Sequence, residues 1–160
     1  NWTWNFYEND LRDLHVLDCE QAMFCGHGLA LESSNCDNQQ TDLGLYNKFY
    51  VAVHQFDEES IVLAGNEGGI YRSSDGGESW NEIVNPNSLL GRRAYINSMN
   101  FDGHIGFATG NDGLLLYSHD SGMSWEEYSL EGSPILLAVH SIGNKAWCSS
   151  IDGKIYTIEL

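Results

Sequence analysis

The chain has 160 residues, 42% of them hydrophobic and 19% charged, which suits one domain with a core of its own. Twenty-three acidic side chains against seven basic ones give a formal charge of −16, which repels phosphate backbones and anionic lipid and so excludes nucleic acid and membrane as partners. No apolar run reaches the length of a membrane span, and no charged-then-apolar leader is visible. The acids are spread along the chain, as on the solvated exterior of a folded body. Cys19, Cys25, Cys36 and Cys148 are too sparse for a disulfide scaffold and are expected as reduced thiols inside strands. Cys19, Cys25, His27 and Cys36 lack paired C-x-x-C spacing, so neither zinc nor any other cofactor is expected there.

In chain order, Asn1-Trp2-Thr3-Trp4-Asn5-Phe6 reads as a strand. It matches two later stretches, Ser79-Trp80-Asn81-Glu82-Ile83 and Ser124-Trp125-Glu126-Glu127-Tyr128, each of which is the last strand of a repeated unit. Four such units follow, anchored on Gly28, Gly68, Gly113 and Gly153 at spacings of 40, 45 and 40. Each anchor lies in a tight polar turn between short apolar runs, the pattern of a hairpin. Upstream of each anchor an inner strand recurs as Leu14-His15-Val16, Val53-His54-Gln55, Met99-Asn100-Phe101 and Val139-His140-Ser141.

After the second and third hairpins comes the most specific motif, Ser73-Ser74-Asp75-Gly76-Gly77-Glu78-Ser79-Trp80 and its copy Ser118-His119-Asp120-Ser121-Gly122-Met123-Ser124-Trp125. Asp75 and Asp120 can fold back onto backbone N–H groups, Gly77 and Gly122 can take positive φ, and Trp80 and Trp125 anchor the next strand. Ser73 and Ser118 open the two turns, which are structural staples without chemistry of their own. In the first unit the polar segment Asn35 to Asp42 stands in place of the stapled hairpin, with Gln40 where the Trp should be.

Four antiparallel strands per unit of about 40 residues is a propeller blade. The expected architecture is therefore all-β, one domain over 1–160, with blades at about 10–48, 49–86, 92–131 and 134–160 plus 1–8. In that arrangement the first strand completes the last blade and closes the ring, removing its sheet edges. Two chains sharing a larger ring, and hence a homo-oligomer, or a piece cut from a longer propeller, are the alternatives.

The eight-residue turn is the Asp-box, and it resembles the repeats of sialidase-like and photosystem II assembly-factor-like propellers. Leu11-Arg12-Asp13-Leu14-His15-Val16-Leu17-Asp18 and Gly106 to Ser118 are similar to the repeat unit of the photosystem II stability and assembly factors. That resemblance implies a non-catalytic module that docks a protein partner, in a family with a larger ring and an arginine-rich patch; this chain has Arg12, Arg72, Arg92 and Arg93. Sialidase chemistry would need an arginine cluster around a Tyr–Glu pair. Only Arg92 and Arg93 adjoin, so no enzyme is expected.

Three sets of residues are candidates for contact. Arg92 and Arg93, isolated basic side chains in the connection Asn85 to Tyr95, suit a protein partner. Trp4 and Trp147, outside the Asp-boxes, suit a protein or a glycan, the latter in a bacteriophage tail or appendage. His15, His54 and His140, with Asn100, occupy equivalent inner-strand positions and could surround an ion on the axis. The simpler reading places each imidazole between blades, bonded to a neighbouring carbonyl.

Overall fold

The computed structural model describes residues 10–18, 20–27, 29–34, 39–42, 49–65, 67–84 and 94–160, with 29–34 and 39–42 through their backbone alone. The expected closing strand 1–8 lies outside the described residues, as do Trp4, Arg92, Arg93, Cys19 and Cys36. Among the described residues there is no helix, and so none long and apolar enough to cross a membrane.

The strands form four antiparallel sheets in sequence order. Sheet 1 contains β1 (Leu11–Val16), β2 (Gln21–Gly26), β3 (Leu29–Ser34) and β4 (Gln39–Asp42). Sheet 2 contains β5 (Tyr50–Gln55), β6 (Ile61–Gly65), β7 (Ile70–Ser73) and β8 (Asn81–Val84). Sheet 3 contains β9 (Ile96–Asp102), β10 (Ile105–Gly110), β11 (Leu115–Ser118) and β12 (Glu126–Glu127), and sheet 4 contains β13 (Leu136–Ile142), β14 (Lys145–Ser150) and β15 (Ile155–Glu159). Within the polar segment that stands in place of the stapled hairpin, Gln39–Asp42 forms a strand that pairs with β3 from Leu31↔Asp42 to Ser34↔Gln39. The ladder is made by backbone groups, so polar side chains do not prevent a strand from forming there.

The first strands of successive sheets pack side by side, β1 on β5, β5 on β9 and β9 on β13. Three cores result, one for each pair of neighbouring sheets. Met23 and Cys25 of sheet 1 meet Tyr50, Val53, Ile61, Leu63 and Tyr71 of sheet 2. Val62, Ala64, Ile70 and Val84 of sheet 2 meet Ile96, Met99, Phe101, Ala108, Leu116 and Trp125 of sheet 3. Phe107 and Leu115 of sheet 3 meet Leu136, Val139, Ala146, Cys148 and Ile158 of sheet 4.

Alternate residues of one strand therefore feed different cores, Ile61 and Leu63 one and Val62 and Ala64 the next. A strand buried on both faces is apolar at every position, as β6 is. In sheet 4 the strands alternate between buried and exposed instead. Cys25 and Cys148 are free, buried thiols.

Candidate binding site

The two Asp-boxes are built as the sequence implies. In the first, the Ser73 hydroxyl donates to Asp75 Oδ1 (2.7 Å) and accepts the Gly77 N–H (2.8 Å), while Asp75 Oδ1 accepts the Ser79 N–H (2.9 Å) and Oδ2 the Ser79 hydroxyl. The second repeats this with Ser118, Asp120, Gly122 and Ser124 at 2.6–3.0 Å. The hydroxyl and N–H of Ser79, with the Ser73 hydroxyl, stabilise the Asp75 carboxylate and hold its pKa down at about 2. At Asp120 burial pulls the other way, yet the Ser124 bonds keep the carboxyl below its usual range.

The backbone explains the sequence at the tips: Gly76, Gly77, Ser121 and Gly122 all have positive φ, and a Cβ on Gly122 would lie 2.9 Å from Val62 Cγ2. That tip therefore seats on sheet 2, where Arg72 Nε also donates to the Ser121 carbonyl at 3.4 Å. Every polar group of the carboxylates is engaged in holding the turn. The boxes are staples, and binding must be sought elsewhere.

A recurring irregularity supplies it. Each first strand has a bulge near its start, where one residue is extra to the pairing: Arg12, Val51, Asn97 and Leu137. In sheets 1 and 3 the bulge goes with a close backbone approach. A Cβ on Gly26 would lie 2.0 Å from the Asp10 carbonyl oxygen, and one on Gly110 would lie 1.8 Å from that of Tyr95. These carbonyls accept the N–H groups of His27 and Asn111, each at 3.0 Å.

A bulge re-aims its extra side chain. Arg12, Val51 and Asn97, with Phe49 and Ile96, line a cavity of 390 Å³. The Arg12 guanidinium lies 5.8 Å from the centre of the Phe49 ring and 3.7 Å from Asp10. Asn97 is fixed by donating to Asn111 Oδ1 (2.9 Å) and the Leu136 carbonyl (2.8 Å). One cation over one aromatic ring, beside an immobilised amide, suits a carboxylate or a peptide group. Sequence reasoning counted Arg12 among the arginines without giving it a place. Its signal was a slip of one residue in the alternation at Leu11-Arg12-Asp13.

The histidines divide. His15 and His54 come together, ring centroids 4.2 Å apart, and His54 also contacts Phe56 and Phe101 at 4.6 and 4.9 Å. His15 does sit between sheets, but its Nδ1 accepts the Gln55 N–H (3.3 Å) rather than donating to a carbonyl. Burial, and then the neighbouring His15, pushes His54 down to about 4, so the pair is neutral near pH 7. His140 is exposed on β13, and Asn100 Oδ1 accepts the Ser141 N–H at 2.8 Å. Among the described residues no three His, Cys, Asp or Glu side chains are grouped to hold a metal ion, so the envisaged ring of three imidazoles is not assembled. His15 and His54 meet at one junction, while His140 is exposed on β13. Trp125 is buried, Trp80 half-buried with its indole N–H on the Gly77 carbonyl (3.0 Å), and Trp147 exposed.

A family model for photosynthesis system II assembly factor YCF48 matches residues 30–159. Among solved structures, YCF48 bound to a D1 peptide is similar with a TM-score of 0.58 and 24% identity, over 68% of this chain and 37% of that one. The chain thus spans little more than a third of that relative's length. The computationally designed protein Ika4 superposes with a TM-score of 0.76 at 15% identity, over 99% of this chain and 96% of its own. The designed protein Ika8 does so at 0.70 and 16%, over 93% of this chain and 45% of its own. These likenesses are of fold, and they make the array of sheets propeller-like. No curated protein matches the chain.

Proposed function

The chain belongs to the photosynthesis system II assembly factor YCF48 family, and from that premise we propose that it is a non-catalytic propeller module that docks a peptide segment of a partner protein. The family match over most of the chain carries this reading. The docking position proposed is the cavity lined by Arg12, Phe49, Val51, Ile96 and Asn97. It has the chemistry of a peptide site: a cation for a carboxylate, an aromatic face, an apolar floor and a locked amide.

The solved relative carries a D1 peptide, so the corresponding segments of that photosystem II subunit are the first ligands to try. Arg12 supplies a local cation on a chain whose formal charge is −16. An acidic side chain or a carboxyl end is the group Arg12 would take, in a site whose surroundings repel unspecific acidic chains. No comparison supports the tail-appendage alternative.

The test is titration of labelled D1 peptides, tiled along that protein, against the purified chain, read by fluorescence anisotropy. Saturable binding of one segment, weakened about tenfold or more in Arg12→Ala, is expected. If no segment binds more tightly than its scrambled sequence, the reading fails.

A further inference from the structure

The sheets repeat one pair of positions at their bulged ends. The first member is the bulge residue, Arg12, Val51, Asn97 or Leu137. The second is the residue just past the end of the second strand, which is His27 in sheet 1, Asn111 in sheet 3 and Ile151 in sheet 4. The backbone of that second residue is pinned alike each time, its N–H donating to the carbonyl that precedes the first strand. His27 donates to Asp10, Asn111 to Tyr95 and Ile151 to Ile135, each at 3.0 Å.

What the side chains do with this shared frame differs. In sheet 3 the pair closes on itself, since Asn97 Nδ2 donates to Asn111 Oδ1 at 2.9 Å. In sheet 1 the pair is Arg12 and His27, and both lean on Phe49 of the next sheet. The imidazole stacks on that ring with centroids 4.1 Å apart and planes 16° from parallel, while the Arg12 guanidinium stands 5.8 Å from the ring centre. An isolated antiparallel bridge between His27 and Phe49 fixes the stack through the backbone as well. Arg12 and Phe49 line the cavity, and His27 lies beside them, exposed to solvent.

We infer that His27 is a second basic group of this site, one that adds its positive charge beside Arg12 only when protonated, so that an acidic segment of the partner is held more tightly as pH falls. The inference rests on the reading of the cavity as a peptide site. Imidazoles as a class change charge between about pH 5 and pH 8. The face of an aromatic ring attracts a cation, so the stack with Phe49 persists when the proton arrives and keeps the new charge next to the cavity.

The surroundings let that charge count. On the elements packed around His27 the ionisable groups are Asp10, Arg12 and Asp13 at the start of the first strand, Cys25 on β2 and Tyr50 on β5. Asp13 is occupied in accepting the Val53 N–H at 2.9 Å, and burial keeps the Cys25 thiol and the Tyr50 hydroxyl protonated. Asp10 opposes Arg12 at 3.7 Å. With that pair offsetting one another, the proton on His27 decides whether the site is net positive.

The test titrates the labelled D1 segment that binds the chain, at about pH 7.5 and at about pH 5.5. Binding should be roughly threefold to tenfold tighter at the lower pH. His27→Phe, which keeps an aromatic ring against Phe49 without the proton, should bind the segment equally at both, and His27→Lys should hold it at the tighter level at both. A copy of the segment with every Asp and Glu changed to its amide, and its end amidated, should not tighten. Equal tightening in His27→Phe, or none in the unaltered chain, overturns the inference and leaves the peptide site standing. Binding of no segment at either pH overturns the peptide site and the inference together.

Discussion

Phe107 and Trp147 stand at the same place in successive repeats, each opposite the first strand's fifth residue, and yet one is sealed and the other is open. The two central sheets have a neighbour on both sides, so β6 is buried along its whole length and β10 nearly so. Among the described residues the end sheets have a neighbour on one side and alternate. What differs is not the side chain but the number of surfaces that meet it. In a stacked array the contribution of a residue to stability is set by its junction, and the repeat motif alone does not reveal it.

Truncating the two residues is the most forceful way to break this comparison. Phe107→Ala should cost about 3–5 kcal/mol and Trp147→Ala less than about 1 kcal/mol, read as shifts of the urea midpoint at constant slope. Equal losses would mean that sheet 4 is not open.

A central junction should also carry a pH dependence. His54 is neutral in the fold down to about pH 4, while in the unfolded chain it takes a proton below about pH 6.5. The unfolded state thus binds more protons between those values, and stability falls as pH drops through that window, by up to about 3 kcal/mol, then levels off. His54→Phe, which keeps the ring contacts with Phe56 and Phe101, should flatten the urea-midpoint profile between pH 6.5 and 4. A profile unchanged by the substitution would remove His54 as its source.

Finer contrasts lie within the core. Trp80 donates its indole N–H to Gly77, whereas Trp125 Nε1 is buried without a partner among the described residues. Trp80→Phe should therefore cost about 1 kcal/mol more than Trp125→Phe, measured by the same unfolding titration. Gln55, 1% exposed with both amide atoms unpartnered, works against its junction. Gln55→Met should be neutral or stabilise by up to about 1 kcal/mol in thermal melts, and a marked loss would show the amide to be engaged.

Local chemistry was legible because it is local. Asp75 and Asp120 fold back on serines four residues away, so spacing alone specified both turns. The order of hairpins, and hence the sheets, followed from the same short-range pattern. Arg12 escaped because a bulge is made by a carbonyl approaching Gly26 from another strand, which spacing along the chain does not encode. His15, His54 and His140 were correctly aligned but wrongly convened, since equivalence in sequence places residues on equivalent faces and not at one point.

By itself, then, the sequence determined the turns, the strand repeat and the all-β class, all products of interactions within a few residues. Tertiary structure alone decided which faces are sealed and which stand open, which bulged residue reaches the cavity, and which histidines touch. Those outcomes depend on the neighbour a sheet receives, and every repeat is written in nearly the same letters whether or not a neighbour is there.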